Sequence, residues 1–208
     1  AFDQVIITND VQPIVTDQPD QTLCNTTDFT MTQSAASAGT GVWSLVSGTA
    51  TITTPSSPTT TVTGLVAGTS ATLQWTVTNG TCSAFDQVII TNDVQPIVTD
   101  QPDQTLCNTE DFTMTQTAAT AGTGVWTLVS GTATITTPAS PTTTVTGLVA
   151  GTTATLQWTV TNGTCSASDQ VVITNDVQPV VTDQPNQTLC DTEDFTMTQT
   201  AATAGTGV

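Results

Sequence analysis

Leu73-Gln74-Trp75-Thr76-Val77-Thr78-Asn79-Gly80 is the stretch that decides the fold. Leu73, Trp75 and Val77 alternate with Gln74, Thr76 and Thr78, the period of a strand with one dry face and one wet face. Asn79-Gly80 then predicts a tight hairpin, the strongest short-range signal for one. The stretch returns as Leu156-Gln157-Trp158-Thr159-Val160-Thr161-Asn162-Gly163.

Outward from this strand the same period recurs. Phe29-Thr30-Met31-Thr32 and Ala50-Thr51-Ile52-Thr53 alternate, and residues 42–46 place Trp43 and Leu45 on one face. Pro55-Ser56-Ser57-Pro58 forces a turn, and Thr61-Val62-Thr63 leads through Gly64-Leu65 into another turn at residues 66–69. Residues 11–16 and 21–23 read as a split first strand interrupted by Asp17-Gln18-Pro19-Asp20, and residues 88–91 as the last strand. About seven strands in about 80 residues, with no helical pattern, predict an all-β, immunoglobulin-like sandwich. Trp43, Trp75, Trp126 and Trp158 alternate in phase with aliphatic neighbours, which assigns them to the core. The alternative role for these rings is an exposed platform on which sugars stack.

The unit is copied. Ala1-Phe2-Asp3-Gln4-Val5-Ile6-Ile7 returns from Ala84 and, as Ala167-Ser168-Asp169-Gln170-Val171-Val172-Ile173, from Ala167, an offset of 83 residues each time. Tandem copies predict an elongated array in which each unit mainly touches its neighbours. In this register residues 1–10 are the last strand of a preceding repeat, 11–93 and 94–176 are complete repeats, and 177–208 begin a third. The chain is therefore expected to be part of something longer, with omitted sequence or a neighbouring chain completing both ends.

Composition removes whole classes of function. The chain has no Lys, Arg or His and no Tyr, while its seventeen Asp and Glu give a net charge of −17. No imidazole or side-chain amine is present as a base near neutral pH, which leaves a paired-carboxylate glycosidase as the one conceivable enzyme; no enzyme is expected. Phosphate neutralisation, and with it nucleic-acid binding, is unavailable. Attachment to anionic lipid is excluded on the same ground, and no apolar run approaches membrane-spanning length. Thr makes up roughly a quarter of the residues and favours half-buried pleated strands.

Gly41-Val42-Trp43-Ser44-Leu45-Val46-Ser47-Gly48, then Thr61-Val62-Thr63-Gly64-Leu65-x-x-Gly68, then Leu73-x-Trp75-x-Val77-x-Asn79-Gly80 together resemble a PKD-like module. The chain is similar in particular to the tandem repeats of giant Bacteroidetes surface proteins, including gliding-motility adhesins exported by type 9 secretion. The Trp-Asp-Phe-Gly-Asp-Gly loop of the standard PKD pattern is absent, so the turn geometry of that loop does not carry over. The resemblance implies an extracellular, cell-surface location and a shaft or filament of an adhesin.

Cys24, Cys82, Cys107, Cys165 and Cys190 occupy two positions of the repeat. Two pairings stay open. One closes each repeat, Cys24–Cys82 and Cys107–Cys165. The other joins successive repeats through Cys24–Cys165, leaving Cys82, Cys107 and Cys190 to pair elsewhere. In an immunoglobulin-like Greek key Cys24 and Cys82 sit at opposite poles of a sandwich roughly 30 Å tall. Disulfide Cα atoms must lie within about 7 Å, which favours the junction staple and excludes Cys82–Cys107 and Cys165–Cys190.

The same topology predicts Asp28, Asp93 and Asp169 near a junction, where carboxylates without basic partners would repel unless hydrated or holding Ca²⁺. No Asp-x-Asp-x-Asp-Gly loop accompanies them; the alternative is a solvated acidic surface that keeps the protein soluble, and no other cofactor is expected. The expected function is a structural and adhesive repeat region giving reach, strength and contact with a surface or with itself. Expected partners are other repeats of the protein, identical chains in a filament, or surface polysaccharide; the alternative function is a carbohydrate-binding module using exposed Trp.

Overall fold

The computed structural model describes residues 2–205 and contains only strands among them. Two sandwiches follow one another in the chain. The first is built from β1 (Gln21–Cys24), β2 (Asp28–Thr30), β3 (Thr40–Ser47), β4 (Thr51–Ile52), β5 (Thr61–Thr63), β6 (Thr69–Asn79) and β7 (Cys82–Asp93). Its sheets run β1-β7-β6-β3 and β2-β5-β4. The second repeats this with β8 (Gln104–Cys107), β9 (Phe112–Thr113), β10 (Thr123–Ser130), β11 (Thr134–Ile135), β12 (Thr144–Thr146), β13 (Thr152–Asn162) and β14 (Cys165–Asp176), in sheets β10-β13-β14-β8 and β11-β12-β9. By contacts the chain divides into two compact units. The first holds Ala1–Ile97 with Ala119–Thr123 and Val160–Ala167; the second holds Val98–Ala118, Gly124–Thr159 and Ser168–Val208.

The alternation of β6 becomes the core of the first sandwich. Leu73, Trp75 and Val77 are buried together with Phe29, Met31, Val62, Val88 and Ile90. Trp75 faces Trp43 across the β3–β6 ladder with ring centroids 5.4 Å apart, and Trp43 Nε1 donates to the Pro58 carbonyl at 3.2 Å. The second sandwich repeats the tilted pair, with Trp126 and Trp158 also 5.4 Å apart. Leu45 shares the Trp43 face in register yet is exposed, because β3 is the sheet edge and its pairing slips between Leu45 and Ser47.

Three boundaries differ from the sequence-based expectation. Residues 11–16 form no strand. Pro13 supplies no N–H to a ladder, and the segment is held instead by side chains, with Asn79 Nδ2 donating to the Val11 carbonyl and Gln12 Nε2 to the Ser83 carbonyl, both at 2.8 Å. The hairpin loop is Gly80-Thr81, since Asn79 already pairs with Cys82, and Gly80 takes the positive φ of 58° that the turn requires. The last strand, β7, starts at Cys82 rather than Val88, because ladder bonds to β6 continue where outward residues such as Phe85 are exposed.

A buried polar residue, Asn92, ties β7 to two loops. Its Nδ2 donates to the carbonyls of Thr26 (2.9 Å) and Leu65 (2.8 Å), and its Oδ1 accepts from Thr26 N at 3.0 Å. Asn92→Ala orphans these groups and is expected to destabilise the first sandwich by about 2–3 kcal/mol, read as a lowered urea midpoint at unchanged slope.

Candidate functional site

The best-constructed site in the molecule is a covalent one, and it lies within the first compact unit. Cys24 ends β1, which pairs with β7 in parallel and sets Cys24 opposite Asp93. Asn25, at φ 41°, turns the chain away and donates its N–H to the Asp93 carbonyl at 2.9 Å. This left-handed conformation suits Asn better than most residues.

Asp93 is the hub. Its Oδ2 accepts from Thr164 N at 2.7 Å and from Thr164 Oγ1 at 3.0 Å, capping the hairpin loop between β13 and β14. A Cβ on Gly163 would collide with that carboxylate, and Gly163 also has φ 56°, so this turn position admits glycine on both counts. Asn162 Nδ2 donates to the Val94 carbonyl and Gln95 Nε2 to the Ser166 carbonyl, each at 2.8 Å. Hydrogen bonds thus lock the hairpin on both sides of its tip.

Held in this way, Cys165 lies with its Sγ 3.6 Å from the Asp93 carbonyl oxygen and bonds to Cys24, at an S–S distance of 2.08 Å and a Cα–Cα distance of 5.0 Å. Cys165 is buried, so a reducing thiolate reaches this sulfur poorly. Cys24–Cys82 and Cys107–Cys165 are not formed; Cys82, Cys107 and Cys190 are free thiols. The physical reason is the register of β1 on β7, which carries Cys24 to the Asp93 end of that strand, whereas Cys82 opens it.

The three aspartates proposed as a Ca²⁺ site serve separate purposes. Asp93 caps the hairpin. Asp169 Oδ2 accepts from Gln101 N at 2.9 Å and Gln116 Nε2 at 3.3 Å, within the second unit. Asp28 is exposed, with its Oδ2 3.2 Å from Thr27 Oγ1. Among the described residues no three acidic, histidine or cysteine side chains gather at metal-holding distance, so Asp28, Asp93 and Asp169 make no cluster. Hydrogen-bond donors from backbone, Thr and Gln offset these charges where the sequence offered no cations.

Trp43, Trp75, Trp126 and Trp158 are each no more than 2% exposed. Rings so enclosed cannot stack on a sugar, which removes the platform on which the alternative role, carbohydrate binding, depended. The capping threonines, Thr81 and Thr164, escaped notice in the sequence. Their signal is the recurring Asn-Gly-Thr-Cys at 79–82 and 162–165, set 71 residues after Asp10 and Asp93.

No family model and no curated protein sequence matches the chain. Solved structures do. Extracellular domains 3–5 of Drosophila OTK match with a TM-score of 0.57 at 12% identity, over 81% of this chain and 61% of that one. Immunoglobulin domains 1–5 of Sidekick-1 match with a TM-score of 0.57 at 13% identity, over 86% and 42%. The I-band fragment I67–I69 of titin matches with a TM-score of 0.50 at 12% identity, over 83% and 68%. The chain thus spans less than two thirds of the length of the first two. What it shares with all three is the fold, immunoglobulin-like β-sandwiches in tandem.

Proposed function

We propose that this chain is a structural and adhesive repeat region of a large extracellular surface protein, giving reach, mechanical strength and a repeated face for contact with a surface or with identical chains. The observation that carries this reading is the Cys24–Cys165 bond, which spans 141 residues and ties the end of β1 to the start of β14. A bond so placed is of little use to a catalyst and of direct use to a load-bearing tether. It also supports an oxidising, extracellular setting. The absence of Lys, Arg, His and Tyr, and the burial of all four Trp, leave the repeats without the usual means of catalysis or sugar stacking. The extracellular domains of OTK and the titin I-band fragment offer structural parallels for sandwiches arranged in tandem. The sequence resemblance to gliding-motility adhesins extends the proposal to cell gliding and type 9 export.

Single-molecule pulling tests the mechanical part. With the disulfide intact, force passes from Cys24 to Cys165 and bypasses the chain between them. At roughly 3.3–3.6 Å per extended residue, about 480 Å of contour should stay hidden until reductant is added. Equal extension with and without reductant would remove the tether reading. Beads carrying the chain then test adhesion, with retention on glycan-free and glycan-coated surfaces compared.

A further inference from the structure

All seventeen carboxylates lie outside two long stretches of the chain. No acid occurs between Asp28 and Asp86 or between Asp111 and Asp169, the stretches that hold β3–β6 and β9–β13. Since the chain has no Lys, Arg or His either, both stretches are free of side-chain charge of any sign.

In the first sandwich this gap in the charge becomes a face. Val42, Thr76 and Phe85 stand in one row across β3, β6 and β7, and Ser44, Gln74 and Gln87 stand in the next. Thr72, opposite Ile89, continues the surface. The residues that alternate with them, Trp43, Leu73, Trp75 and Val88, are buried, so these rows form the outer side of the sheet. Gln87 Nε2 donates to Gln74 Oε1 and Gln74 Nε2 to Thr76 Oγ1, each at 2.9 Å, which orders the middle of the face before anything binds. Around these amides Phe85 is 63%, Val42 48% and Ile89 43% exposed. The acids of β7 avoid the face. Asp86 is set opposite Trp75, and its Oδ2 accepts from Gln18 N at 3.0 Å and Gln33 Nε2 at 3.2 Å. Asp93 caps the Thr164 turn. Asp20, whose Oδ1 accepts from Ile89 N at 2.8 Å, marks the rim.

We propose that this face, centred on Val42, Thr76, Phe85 and the Gln74–Gln87 pair, docks the same face of a second copy of the chain. Charge selects the occupant. A basic partner is drawn to carboxylates, and this face offers none. A second copy carries −17 itself and is repelled wherever acids meet, so it can approach closely only where neither surface presents one. Removing the exposed Phe85, Val42 and Ile89 from water supplies the attraction, and the ordered amides lose little freedom on docking. Like face on like face is a two-fold contact, which closes as a dimer. The second sandwich has Ser168 at the place of Phe85 and Val172 at that of Ile89, so its face is the weaker of the two. The inference names the surface for the contact with identical chains in the proposed function, and rests on that part of it.

Sedimentation velocity of the full chain, its free thiols alkylated so that only non-covalent contacts count, should show a monomer–dimer equilibrium. Added NaCl should tighten it, because salt screens the repulsion between two acidic bodies and leaves the apolar contact in place. Phe85→Ser should raise the dimer Kd at least about tenfold. That variant copies Ser168 of the second sandwich, which has the same fold, and an unaltered circular dichroism spectrum checks it. Val42→Asp, which places a carboxylate on the face, should weaken the dimer as much and make it more dependent on salt. Val66→Asp adds the same charge in the exposed turn between β5 and β6, and should leave the Kd nearly unchanged. A dimer indifferent to Phe85→Ser and Val42→Asp, or equally weakened by Val66→Asp, would overturn the face while self-contact stands. A chain monomeric at every concentration and salt would overturn both, leaving the tether to its own pulling test. Loss of the dimer on adding salt would also overturn the proposal, as would a monomer that binds soluble glycan through Phe85.

Discussion

Trp75→Ala is expected to destabilise the first sandwich by about 3–5 kcal/mol, a large share of what holds a domain of this size together. Trp75 is 2% exposed, packs against Trp43, and lies at the centre of β6, so its removal opens a cavity on both sheets. Trp158→Ala should do the same in the second sandwich, where the tilted pair with Trp126 is repeated. Gly41 supplies the control. It lies opposite Val77 on β3, and a Cβ there would overlap the Trp75 indole at Cζ2. Its φ is not positive, so Gly41→Ala tests steric overlap alone, expected to cost about 1–3 kcal/mol. In the double variant the methyl group moves into space vacated by the indole. The two losses should therefore fall short of their sum by at least about 1 kcal/mol. Urea unfolding of the four chains checks this; strict additivity would mean that Gly41 does not owe its smallness to Trp75.

Breaking Cys24–Cys165 is the second large effect. The bond closes a loop of 141 residues, and chain entropy assigns it about 5 kcal/mol by restricting the unfolded ensemble. Cys24→Ser with Cys165→Ser should therefore lower the unfolding midpoint sharply, and reductant should lower that of the parent chain but not that of the variant. Cys82→Ser removes only a free thiol near the Asp10 carbonyl, so its stability should stay within about 0.5 kcal/mol of the parent. Equal midpoints with and without the bond would show that the hydrogen bonds of Asp93, Asn162 and Gln95 already hold the hairpin in place. Asp93→Ala then separates the two contributions: it should loosen the Thr164 turn while the disulfide remains.

Much of this was legible from local pattern. Alternation at residues 73–78 and 29–32 located strands and core, since a pleated strand sends successive side chains to opposite faces whatever surrounds it. The hairpin was placed one residue early. The favoured Asn-Gly pair marks a turn, but Asn79 stays in the ladder and spends its side chain on the Val11 carbonyl. Residues 11–16 carry apolar residues at strand-like spacing, yet Pro13 and side-chain anchors replace the ladder there. Asn92, whose hydrogen bonds reach 27 and 66 residues back, left no periodic trace, and the capping pairs Asp10–Thr81 and Asp93–Thr164 left only the repeated Asn-Gly-Thr-Cys.

The alternation, the turns and the 83-residue repeat determined by themselves that this protein is a tandem of immunoglobulin-like sandwiches with a tryptophan pair in each complete core. Which cysteines meet was a tertiary decision. The cysteines are chemically alike and recur at fixed spacing, so composition and spacing leave Cys24 with both Cys82 and Cys165 as partners. Only the parallel register of β1 on β7, with Asp93 capping the Gly163-Thr164 turn beside it, brings Cys165 to Cys24 and leaves Cys82 a free thiol.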